Sequence, residues 1–350
     1  MTRFTVSCPR MLALIVAGVA ALATACGAGS TGVEKLPTSP QRASRLGGVI
    51  APWSVWRHEQ RPLDLAGPLP DGSLVLAAHG RLYTLRADGR RGLFSTAYDR
   101  PGNAEPYIAV AAPGHRGCPF GTGTVYVLRL YGGRGVVAVS RRGPVRHFAT
   151  ITAPGLIDGI AFDEAGRFGH RLLVTITNGS HTTVQAIDCH GQVQTITRQA
   201  PRVEGGLVVA TAPFGRFAGD LIAPDEKSGQ IFAISAGGRS RLVAISGLPS
   251  GQDVGVESEV QLPHDGRFAG LLAADRRNLR NRHPGDDAVL RISARALEVL
   301  GTRPGDLMVA TERGARLLDV RCGAASCQVR EVASGPARAH LEGHLAIAPG

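Results

Sequence analysis

Three nearly superimposable segments constrain the fold of this 350-residue chain more than any other feature. Gly166-Arg167-Phe168-Gly169-His170 precedes Leu172-Leu173-Val174, Gly215-Arg216-Phe217-Ala218-Gly219 precedes Asp220-Leu221-Ile222, and Gly266-Arg267-Phe268-Ala269-Gly270 precedes Leu271-Leu272. Their starts lie 49 and 51 residues apart, and Thr302-Arg303-Pro304-Gly305-Asp306-Leu307-Met308-Val309 is a fainter copy. A period of about 40 to 50 residues signals an array of like units, each too small to bury its own apolar face.

Around each copy lie short runs rich in Val, Ile and Leu, separated by Gly, Asp and Asn turns, with no long helical period. One unit reads as strands at 158–162, 172–176, 184–188 and 193–197, and the next as strands at 206–211, 220–223, 230–235 and 240–244. Adjacent four-stranded units of this size bury both faces when they stack around an axis. The chain is therefore expected to be all-β, a β-propeller over residues 49–350, with six blades and a seventh left open. Segments 73–78 with 81–86 and 124–130 with 135–140 read as hairpins of earlier blades. Segment 341–348 reads as the innermost strand of a unit that closes the ring with N-terminal strands.

The unit resembles those of the six-bladed NHL, SMP-30/gluconolactonase and TolB-like propellers. The resemblance covers residues 60–350 and implies architecture only. Such propellers include lactonases, other hydrolases, lyases and binding scaffolds, so chemistry has to be argued from a site.

Acidic residues recur where innermost strands should begin: Glu105 in Ala-Glu-Pro-Tyr, Asp158 in Ile-Asp-Gly-Ile, Glu204 in Val-Glu-Gly-Gly, Glu257 in Val-Glu-Ser-Glu and Glu342 in Leu-Glu-Gly-His. Glu298, in Leu-Glu-Val-Leu, is a candidate sixth member. Innermost strands enter the channel from one face, so equivalent positions would converge into an axial ring of carboxylates. Such a ring suits calcium or another divalent cation, since calcium takes about six to eight oxygen ligands in loose geometry. Crowded carboxylates also raise one another's pKa, which suits general acid or base work. The plainer alternative is that these residues start strands, cap turns and hydrate the channel mouth. In SMP-30-like hydrolases a carboxylate pair and an asparagine hold the axial metal. Here no asparagine stands at an inner-strand position, with Asn103 and Asn178 in turns, so catalytic residues are not assigned. His340 and His344 flank Glu342 at a spacing that places alternate strand residues on one face.

No Gly-x-Ser-x-Gly elbow, Ser-x-x-Lys pair, phosphate loop or dinucleotide fingerprint is present. Segment 276–287 is polar and long enough to be a binding loop.

The first 25 residues read as a signal peptide: Arg3 and Arg10 supply the positive start, 11–25 is an apolar run, and small residues precede Cys26. The run falls short of the roughly 20 residues that cross a bilayer. Leu22-Ala23-Thr24-Ala25-Cys26 resembles the lipobox of bacterial lipoproteins, with leucine one place earlier than usual. That resemblance implies lipid on Cys26 and a body held at the extracytoplasmic face of the cell membrane. Residues 26–48 are rich in Gly, Ser, Thr and Pro, as expected of a flexible tether.

Lys and Arg number 39 against 28 Asp and Glu, a net charge of +11, or +9 without Arg3 and Arg10. This excess favours an anionic cell-envelope polymer or headgroup by long-range attraction. It does not indicate nucleic acid, because the arginines are scattered and no basic helix or aromatic cluster accompanies them. Four cysteines remain after Cys8 and Cys26. Cys322 and Cys327 flank the turn Gly-Ala-Ala-Ser and are expected to bridge, and Cys118 and Cys189 would pair if their blades are neighbours. The leading functional expectation is a lipid-anchored propeller that binds a ligand or partner protein at the cell surface. The alternative is a lactonase-like hydrolase with its metal on the propeller axis.

Overall fold

A computed structural model describes residues 50–99, 106–112, 118–130 and 133–348. The leader, Cys26, the tether and Glu105 lie outside the described residues.

Six sheets close into a ring, so the chain is a six-bladed β-propeller without a seventh sheet among the described residues. From the axis outward, blade one is Pro62–Ala66, Leu74–Ala78, Arg81–Leu85 and Arg91–Leu93. Blade two is Ile108–Val110, Val125–Arg129, Gly135–Val139 and Arg146–Thr150. Blade three is Leu156–Phe162, Leu172–Asn178, His181–Ile187 and Val193–Pro201. Blade four is Val208–Val209, Leu221–Asp225, Gln230–Ile234 and Ser240–Ile245. All these neighbours pair antiparallel.

Blades five and six are interleaved. The chain lays down Val256–Gln261 as the innermost strand of blade five, then crosses to build Gly270–Asp275 and Ala288–Ser293 in blade six. It turns through a short helix, Ala294–Val299, whose N-terminus is capped by the Ser293 hydroxyl. It then returns to finish blade five with Leu307–Thr311, Leu317–Cys322 and Cys327–Ser334. Leu341–Ala348 crosses again as the innermost strand of blade six. Ser54–His58 forms the outer edge of blade six, and Ala51–Pro52 adds a parallel edge to blade five.

The strand next to the innermost one is buried along its whole length in blades one, four, five and six, and is apolar except for a final Asp or Thr in the last three. This is the pattern of a sheet covered on both faces. Six apolar clusters accordingly fill the six blade interfaces. The phenylalanines of the repeated Gly-Arg-Phe are the wedges: Phe168 packs between blades three and four, Phe217 between four and five, and Phe268 between five and six. Truncating a buried ring such as Phe217 to alanine is worth about 3 to 5 kcal/mol.

Cys322 and Cys327 oppose each other across the third and fourth strands of blade five and are bridged, with Cα atoms 4.0 Å apart. Cys118 and Cys189 are also bridged, with Cα atoms 5.5 Å apart, tying blade two to blade three. No helix among the described residues is long and apolar enough to cross a membrane.

Candidate functional site

The six innermost strands run in the same direction, so their first residues meet at one mouth of the channel. In blades one, three and five the register slips near that mouth, between Pro62 and Asp64, Ile157 and Gly159, and Val256 and Ser258. A bulge re-aims the extra side chain. In blades three and five the extra residue is Asp158 or Glu257.

Asp158, Glu204, Glu257 and Glu342 stand at this mouth. Two residues that the pattern missed complete the cup: Glu226 and Glu312, each directly after the second strand of its blade. Glu226, Glu257 and Glu312 are buried and offer oxygens within 4.8 Å of one another, as do Glu312, His340 and Glu342. Glu298 does not belong to the cup. Its Leu-Glu-Val-Leu stretch forms the capped helix between blades and exposes the carboxylate, while the start of the sixth inner strand is already taken by Glu342.

Among the described residues, blade two contributes a phenol. The Tyr107 hydroxyl lies 2.9 Å from Glu257 and 3.3 Å from Glu342, with one hydrogen for two carboxyl groups. Burial, aggravated by Glu312 and Glu342, pushes the Glu257 pKa well up. Burial together with Glu342 and Glu226 also raises Glu312, and burial with Glu204 raises Glu226. Glu342 goes the other way: burial acts against its charge, but the His340 hydrogen bond, Arg276 and Tyr107 hold it below the usual carboxylate range. Arg276 donates to Glu342 at 3.0 Å, and His340 bridges Glu312 and Glu342 at 3.0 Å to each. Arg202 pairs with Glu204 and reaches Asp225 at 3.4 Å.

Among the described residues, six carboxyl groups of the cup thus face two arginines. Asp158 adds a further imbalance: Thr175 donates to its Oδ1, whereas Oδ2 is buried without a hydrogen-bond partner. Burial and Glu204 raise its pKa. The set is oxygen-rich, with one imidazole. Asn281, from the polar loop, reaches the His340 nitrogen that faces Glu312, at 3.1 Å.

Below the cup, Asp64 and His344 close the channel. Asp64 is fully buried and accepts from the amides of Leu65, Ile108 and His344 at 2.7 to 2.8 Å. The His344 ring lies 3.0 Å from Asp64 and 2.9 Å from the Ile160 carbonyl, so three blades meet on one imidazole. Burial disfavours a charged ring there, but the Asp64 carboxylate overrides it and holds the His344 pKa above its ordinary value. Gly343 makes this approach possible: its φ is +65°, and a Cβ would overlap the Asp64 carboxylate. Beyond the pair, the later residues of all six inner strands surround a cavity of about 320 Å³, lined by side chains such as Ile108, Val110, Phe162, Leu207 and Ile347.

No family model matches the chain, and no curated protein matches it. Solved structures similar to it include a catalytically inactive virginiamycin B lyase from Staphylococcus aureus with quinupristin, at 12% identity over 85% of this chain and 95% of that one, with a TM-score of 0.46. A putative oxidoreductase (glucose dehydrogenase) from Thermus thermophilus is similar at 18% identity over 81% and 87%, TM-score 0.42. A putative TolB from Agrobacterium tumefaciens is similar at 15% identity over 77% and 79%, TM-score 0.37. Neither chemistry nor substrate is carried over from them.

Proposed function

We propose that the protein is a binding propeller whose axial acidic cup takes a divalent cation of the calcium type, through which a ligand or partner is held. The observation that carries this reading is the meeting of Glu226, Glu257, Glu312, His340 and Glu342 in two overlapping sets of ligand atoms. The partnerless Asp158 oxygen supports it independently. A hard cation would relieve the repulsion among these groups, and its ligands would be the deprotonated carboxylates.

Thermal unfolding with calcium and with chelator tests the reading. A cation that binds only the folded state adds about 2.7 kcal/mol at a hundredfold excess over Kd. Glu257→Gln should abolish this gain and leave the cation-free protein as stable or more so, because burial and the neighbouring acids already disfavour a charge at this position. Melting curves indifferent to calcium, zinc and chelator would sink the cation and, with it, the metal-dependent hydrolase alternative. That alternative is favoured by one feature, the raised pKa values of Glu226 and Glu257 beside the cation position, which suit a proton donor.

The same reading places the body outside the cytoplasmic membrane, held by lipid on Cys26 and attracted to an anionic envelope polymer. Two disulfides suit an oxidising compartment. Cys26→Ser should move the protein from the membrane fraction to the soluble one, and a variant that stays with the membrane would remove the anchor.

A further inference from the structure

The polar loop 276–287, between the second and third strands of blade six, is stitched to the rim of the acidic cup. The Arg276 amide donates to the His340 carbonyl and the Gly285 amide to the Arg338 carbonyl, both at 2.9 Å. Asp275 accepts from the amides of His340 and Asp286 at 2.9 and 3.3 Å. Midway along the loop, the Asn281 side chain meets His340 at 3.1 Å and accepts from the His283 amide at 2.9 Å, which fixes Arg282 between two anchored residues. Arg313 reaches the same place from blade five. It directly follows Glu312 of the cup, and its backbone forms a β-bridge with His340.

Both arginines are exposed, and among the described residues neither makes an ion pair. The acids of the loop are committed elsewhere: Asp286 lies 4.0 Å from Arg338, and Asp287 accepts from the amides of Arg61 and Arg277. Burial lowers the His283 pKa, and the charges of Arg313, His340 and Arg282 lower it further against Asp253, so the positive groups gather around one imidazole. Beside an acidic cup there is thus a basic rim with hydrogen-bond donors to spare.

We propose that the ligand held through the cup is a phosphate monoester, bridging the cation proposed above, on which this rests, to the guanidinium groups of Arg282 and Arg313. A cation of the calcium type accepts a ligand oxygen in a loose shell. A neutral polyol could supply that oxygen but would leave the arginines without an acceptor. A carboxylate has two oxygens, whereas a phosphate monoester has three terminal ones, enough to meet the cation and both planar forks together. Without the cation, the carboxylates of the cup repel the anion. Binding of the ester therefore has to depend on calcium.

Titration calorimetry of the purified protein tests this in stages. Calcium alone comes first, and its failure to bind would overturn the cation and the phosphate together. With calcium present, glycerol 3-phosphate at submillimolar concentration should bind at least about tenfold more tightly than glycerol, and than it does itself in chelator, the range of one hydrogen bond to a charged group. Dimethyl phosphate, a diester like the phosphate of a lipid headgroup or polymer backbone, should bind at least about threefold more weakly. Arg282→Gln with Arg313→Gln should weaken glycerol 3-phosphate by about tenfold or more. The same variant should bind calcium as tightly or more so, since two positive charges have left. Arg142→Gln with Arg146→Gln, which removes two exposed charges from blade two, should leave both affinities unchanged. If calcium binds but glycerol 3-phosphate ignores it, binds no better than glycerol or dimethyl phosphate, or loses as much with the blade-two pair as with the rim pair, the cation stands and the phosphate monoester is overturned.

Discussion

One set of six strands lines both ends of the channel, and the two ends could hardly differ more. At the mouth where the strands begin, Asp158, Glu204, Glu257 and Glu342 crowd together; a few residues later the same strands present Phe162, Leu207 and Ile347. Such a contrast across so short a distance needs a partition, because carboxylates gain from water and cations while the apolar lining gains from excluding both. Asp64 and His344 form it. The difference teaches that in a propeller the architecture supplies an axis, and a handful of inner-strand residues decide what each end of that axis attracts.

Removing the partition should have the largest effect on this contrast. Asp64→Ala would leave three backbone amides and the His344 ring without their buried acceptor. A loss of about 3 to 5 kcal/mol is expected in chemical denaturation. A loss below about 1 kcal/mol would mean that water replaces the carboxylate and that the two ends are continuous.

Raising the pH should sharpen the contrast by a smaller amount. Burial raises the pKa values of Glu226, Glu257 and Glu312, with Glu204 adding to the first, Glu312 to the second and Glu342 to the third, and burial lifts Asp275 to about 6. The folded state therefore binds protons that the unfolded state releases near pH 4, so these groups stabilise least once both states are ionised. His344, also raised, has the same sign. Without a cation, stability should fall as the pH climbs from about 5 to about 8, by at most about 1.4 kcal/mol per pH unit for each proton retained. Glu342 has the opposite sign, but its effect belongs to the acid side, where pH falls through its depressed folded-state value. Calcium should flatten the decline, since it takes the place of the protons. A rising curve would show that the acids are already ionised in the folded protein.

The smallest effect should come from Glu298→Gln. That carboxylate sits exposed on the helix between blades, so stability should change by less than about 0.5 kcal/mol with or without calcium. An altered calcium response would return Glu298 to the cup.

Much of this was legible in the sequence for a local reason. The strands of blades three and four follow one another without interruption, and Asp158-Gly159 and Glu204-Gly205 mark inner-strand starts because the backbone there comes too close to its neighbours for a Cβ. Glu226 and Glu312 were not read, although Leu-Ile-Ala-Pro-Asp-Glu, Leu-Leu-Ala-Ala-Asp-Arg and Leu-Met-Val-Ala-Thr-Glu align once the second strands are superposed. They end second strands, and only antiparallel pairing brings a strand's end beside its neighbour's beginning. The crossing between blades five and six was hidden for a related reason. Gly270–Asp275 has the same alternation whichever sheet it joins, and the choice of sheet is made by contacts far away in the chain.

That crossing also limits how such a molecule can change its size. A ring of self-contained repeats can lose or gain one by a single deletion or duplication, since each cut falls between sheets. Here, excising residues 256–311 would take one inner strand and one second strand from blade five and two middle strands from blade six, leaving two broken sheets instead of one missing repeat. The count of six is thereby protected against unequal recombination in this half of the gene. Blades one to four carry no such protection, so natural variation in repeat number, and engineered insertions, should concentrate there.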